Sequence, residues 1–87
     1  MSQSFAELHG RTIENLYNFL VVESRLGMTF ISMAWTHRDD ADRFEVHRRN
    51  AMTALEAIDR FKDKLPRDMR SEIETLRSKL AEALAAL

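Results

Sequence analysis

The sequence predicts an all-α protein: an up-down-up antiparallel three-helix bundle with a long first helix, expected to dimerise. Three observations carry this. Gly occurs twice and Pro once in 87 residues, so helix breakers are scarce. The apolar residues, 45% of the chain, recur with a helical period instead of alternating. Pro66 and the polar run "HRDD" (His37 to Asp40) divide the chain into three segments with short connections, which makes neighbouring helices antiparallel. A chain of this length makes one domain, 1–87.

The first helix is expected over about 5–37. "SFAE" (Ser4 to Glu7) fits a capping box, with a hydroxyl at the N-cap and a carboxylate three residues on. At about 100° per residue, Leu16, Leu20, Ser24, Gly27, Ile31, Ala34 and Trp35 fall on one line. Phe19, Val22, Leu26, Phe30 and Met33 form a second stripe beside it, and Phe5 and Leu8 extend the same arc. Gly10 is the one point where this helix is expected to bend or break.

The second helix is expected over about 41–64, with Phe44, His47, Ala51, Ala54, Leu55, Ile58, Phe61 and Leu65 on its apolar stripe. Pro66 suits the start of a new helix and not an interior position. The third helix, about 67–86, carries Met69, Ile73, Leu76, Leu80, Ala83 and Leu87 in a heptad-like seam. With the first reversal centred on Arg38 to Asp40, Gly27 is expected opposite Ala51, Ile31 opposite His47 and Leu20 opposite Ile58.

Composition excludes several functions. There is no cysteine, which removes thiol catalysis, disulfides and zinc-thiolate sites and suits a reducing, cytoplasmic location. Thirteen basic and 14 acidic residues leave a formal charge of −1, without the global field of a nucleic-acid or membrane-surface binder. No apolar run reaches membrane-spanning length.

The chemistry-bearing stretch is "AWTHRDDADRFEVHRRN", Ala34 to Asn50. Its charges suit a helix-to-helix turn. His37 and Arg38 belong at the negative end of one dipole, and Asp39, Asp40 and Asp42 at the positive end of the next, with Asp39 or Asp40 as N-cap. A metal or acid–base site built from His37, His47 and neighbouring acids is the alternative. It lacks the Glu-x-x-His spacing, since Glu45 and His47 are two residues apart and point to different faces. A second alternative is an RNA-associated accessory domain using Arg38, Arg43, Arg48 and Arg49, whose charge is interleaved with acids. The turn reading is favoured, so no catalytic residue, cofactor or metal ligand is assigned.

Glu23 and His47 fall inside apolar faces and are expected as partly buried polar groups held by a partner from a neighbouring helix.

The first helix is apolar over about 220° of its circumference, whereas a surface helix needs a stripe of about 100°. Burying Phe19, Val22, Leu26, Phe30 and Met33 would contribute at most roughly 7–15 kcal/mol. That surplus, with Phe5 and Leu8, predicts a homodimer interface.

"ESRLGMTF" followed by "ALEAIDRFKDKLP" resembles a tetratricopeptide-type helical hairpin. Leu26, Gly27 and Phe30 match the spacing of its first helix, and Ala54, Ile58, Phe61 and Pro66 that of its second. Glu23 stands where the repeat often has an aromatic residue, and Phe61 where it has a small one. The chain also resembles small uncharacterised bacterial helical proteins of that type. The resemblance covers roughly Glu23 to Pro66 and implies a protein-binding scaffold without catalysis.

Overall fold

In the computed structural model the described residues are 5–87, with side chains from Arg11 onward. Three helices account for nearly all of them: α1, Phe5–Thr36; α2, Ala41–Phe61; and α3, Arg67–Ala85. Among the described residues there is no strand. α1 is continuous through Gly10. Its 32 residues rise about 48 Å and set the 57 Å long axis of the molecule. Ser4, and the side chains of Phe5, Glu7 and Leu8, lie outside what is described.

The boundaries follow from local chemistry. α1 ends at Thr36, one residue short of the expected end, and His37 to Asp39 form a turn. Asp40 then caps α2: its backbone is extended, and its carboxylate accepts a hydrogen bond from the Arg43 amide at 3.1 Å. The second helix is expected to Lys64, but α2 stops at Phe61 and Lys62–Lys64 tighten into a 3-10 turn. Pro66 explains this, because the residue before a proline is driven out of the helical region, and Leu65 has φ −85°, ψ 150°. Pro66 is the N-cap of α3, and its carbonyl accepts the Arg70 amide.

Directions can be read from pairs of contacts. Phe19 packs on Phe61 and His37 on His47, so α1 and α2 are antiparallel. Tyr17 donates to Glu72 and Gly27 abuts Leu80, so α1 and α3 are parallel. Arg77 holds Asp59 and Lys62 meets Glu74, so α2 and α3 are antiparallel. The core they enclose is Leu20, Ile31, Ala51, Ala54, Ile58, Leu65, Ile73 and Leu80. Ser24 is the one buried polar residue described, and its hydroxyl donates to the Val21 carbonyl.

The register between α1 and α2 differs from the expected one by about three residues. Gly27 meets Ala54 instead of Ala51: a β-carbon on Gly27 would lie 3.3 Å from that of Ala54, and 2.6 and 2.8 Å from the Leu80 methyls. His47 meets His37 instead of Ile31. The cause is the turn. With Gly27 level with Ala54, Ala41 stands about 6 Å beyond the end of α1, so the chain travels outward before it reverses.

Candidate functional site

The helical period gives α1 two apolar flanks, and α2 and α3 both lie toward only one of them. Leu20, Ile31 and Ala34 on that flank are buried. On the other flank Phe19 is 45% exposed, Val22 50%, Leu26 44% and Met33 38%. Phe19 meets Phe61 of α2 and Met33 shares a hollow with Val46 of α2, and the helical period places Leu26 between them and Val22 farther from α2.

Phe30, expected with them, is only partly exposed and packs against the core. It sits about 40° nearer α2 than Leu26 does. Trp35, expected on the buried line, is 41% exposed. The Gly27–Leu80 contact places the end of α3 level with about Ser32, so Trp35 stands beyond it. The Arg38 guanidinium covers the Trp35 ring at 4.6 Å. Val46, 55% exposed, and Met28, 42% exposed, are apolar surface that the stripe assignment omits. Val46 adjoins Met33 in space, which only the hairpin register shows.

The groove between α1 and α2 is uneven. At its elbow end a hollow of about 390 Å³ is lined by Met33, His37, Asp42, Arg43, Val46 and His47. A second hollow of about 290 Å³ lies on α2 alone, lined by Thr53, Glu56, Ala57, Arg60 and Phe61, and Phe19 of α1 stands edge-on to Phe61 at 6.4 Å.

His37 and His47 come together as stacked rings, centroids 5.4 Å apart and planes 25° apart. His47 Nδ1 is buried with no hydrogen-bond partner, so the expected polar partner from a neighbouring helix is replaced by ring stacking. Imidazole lone pairs lie in the ring plane, so two stacked rings direct them along nearly parallel planes and not toward one point. Among the described residues no group of three His, Cys, Asp or Glu is placed to hold a metal ion. Glu23 is partly buried at the edge of the stripe.

Each arginine of the elbow is engaged within the chain. Arg43 pairs with Asp40 at 3.5 Å and Arg38 lies over Trp35. Arg48 grips both oxygens of Glu45 at 2.9 and 2.7 Å, and Arg49 adds a third hydrogen bond at 3.2 Å. The Arg48 hydrogen bonds, followed by those of Arg49, bring the Glu45 carboxyl down to about 2. The cluster therefore presents compensated charge instead of a bare cationic patch.

No helix among the described residues is long and apolar enough to cross a membrane. Comparison with protein-family models, curated proteins and solved structures finds no match.

Proposed function

We propose that this chain is a non-catalytic helical interaction module that self-associates through the open flank of α1. The observation that carries this is the row Phe19, Val22, Leu26 and Met33, each more than a third exposed on a helix whose other flank buries Leu20, Ile31 and Ala34. Large apolar side chains lined up on one face lose free energy to water unless a second surface covers them. Val46 and the two hollows extend that face onto α2. The Gly27–Ala54 approach lies inside the segment that resembles a tetratricopeptide-type hairpin, and it supports reading the pair as a protein-binding scaffold. The cytoplasm is part of the same proposal, since a cysteine-free chain needs no oxidising compartment.

Sedimentation equilibrium at micromolar concentration tests the reading. A species of twice 10.1 kDa is expected, and a single 10.1 kDa species overturns it.

A further inference from the structure

The apolar stripe, open at Phe19, Val22, Leu26 and Met33 and half-buried at Phe30, is symmetric about Leu26. Phe19 and Met33 stand seven residues to either side of it, Val22 and Phe30 four to either side. At about 100° per residue, seven residues displace a side chain about 20° round the helix and four residues about 40°. Phe19 therefore leans toward α2 by as much as Met33 leans away, and Phe30 toward α2 by as much as Val22 leans away.

From this spacing we infer that a second copy of the chain docks antiparallel, α1 on α1, across a two-fold axis at Leu26. Phe19 of each copy then lies beside Met33 of the other, and Val22 beside Phe30. The inference rests on the self-association proposed above and adds its orientation and register.

A two-fold axis perpendicular to the helices keeps each lean and reverses each height. Side chains at equal height then lean opposite ways and pass beside one another instead of colliding. Sizes also match: small Val22 meets large Phe30, and the Met33 thioether meets an aromatic ring, a favourable pairing. A parallel pairing would set Val22 beside Val22 and Phe30 beside Phe30, small with small at one level and large with large at another, which packs less evenly.

The hollow at the elbow supplies the second argument. It lies beside Met33 on the α2 side, where Val46 and His47 line it. Antiparallel docking brings the second copy's Phe19, leaning toward α2, to that point. The groove from Phe19 to His37 is about 27 Å long and two helices, about 20 Å, wide. That footprint, on the order of 500 Å² per copy before side-chain relief is counted, totals about 1,000 Å², the lower bound for a specific interface. Thr53 and Ala57 on the α2 edge are short, which leaves room for a neighbouring helix.

Cysteine cross-linking tests the register, because the chain has no cysteine of its own. Phe19→Cys, Leu26→Cys and Met33→Cys are made singly, checked for helical content and treated with a short bismaleimide. Leu26→Cys is expected to cross-link to itself, and an equal mixture of Phe19→Cys and Met33→Cys to give the mixed dimer. Phe19→Cys alone and Met33→Cys alone are expected to give little product. Efficient self-linking of those two with no mixed product, in a protein that still sediments as a dimer, overturns the register and leaves self-association standing. A wild-type chain that sediments as a monomer overturns both. Leu26→Glu gives a second readout, since it places two carboxylates together on the axis. Association weaker by about 100-fold or more is expected, against little change for Met28→Glu on the other side of α1. Equal effects of the two substitutions count against the axis at Leu26.

Discussion

The two flanks of α1 are built from the same kinds of residue and end in opposite environments. Toward α2 and α3, Leu20 and Ile31 are buried, Gly27 touches Leu80, and Ser24 turns its hydroxyl back onto its own helix. A quarter-turn away, Leu26 and Phe19 are nearly half exposed. The difference teaches that apolar periodicity reports which faces avoid water, not which neighbour covers them. Three helices of this length seal one flank of the longest, and the rest of its apolar circumference is available to something else.

The largest expected contrast is in stability. Ile73 and Leu80 are fully buried against the sealed flank, so Ile73→Ala or Leu80→Ala should each cost about 2–5 kcal/mol. Met33→Ala should cost less than about 1 kcal/mol when the chain is dilute enough to be monomeric. Chemical denaturation at low and high protein concentration measures both. If Met33→Ala proves as damaging as Ile73→Ala in the dilute chain, the two flanks do not differ.

A middle-sized effect sits at the tightest point of the sealed flank. Gly27→Leu forces side-chain atoms into space held by Leu80 and Ala54 and should destabilise by about 1–3 kcal/mol. Gly27→Ala should be milder, because the gain in helix propensity of about 1 kcal/mol offsets a shift of the Leu80 methyls. Thermal melts of the two variants test this, and equal melting points would mean that the approach is looser than the contact implies.

The smallest effect is electrostatic. Arg48 and then Arg49 hold Glu45 at about 2, and the Arg77 hydrogen bonds at 2.8 and 3.1 Å hold Asp59 below its ordinary value. A carboxyl whose folded value is depressed stabilises the fold fully above its unfolded value and loses that contribution as pH falls toward the folded one. Glu45 therefore stabilises fully above pH 4.5 and fades with acid toward about pH 2, while Asp59 stabilises above its ordinary 3.8 and loses that contribution as the pH falls further. These side chains are more than a third exposed, so water and salt screen the gain. Melting curves from about pH 6 to about pH 2 should fall by a few degrees less in Glu45→Gln and Asp59→Asn than in the parent.

Much of the fold is legible residue by residue. The 3-4 spacing of Met69, Ile73, Leu76 and Leu80 marks α3, Asp40 marks the start of α2, and Pro66 marks the start of α3, because caps, breakers and apolar period act within a few residues. The exposed stripe is legible as a surplus of apolar circumference. What escapes is whatever depends on two elements at once: the offset of α2 along α1, the meeting of His37 with His47, the half-cover of Phe30, and the escape of Trp35 past the end of α3.

The sequence by itself determined the three helices and that α1 carries more apolar surface than one flank can use, since both follow from local backbone preference and side-chain periodicity. Only the tertiary structure decided which flank is sealed, and that Met33, Val46 and His47 share one hollow. The physical reason is that the turn from His37 to Asp40 sets how far the chain travels before it reverses. A few ångströms there move every contact along the hairpin by a full turn.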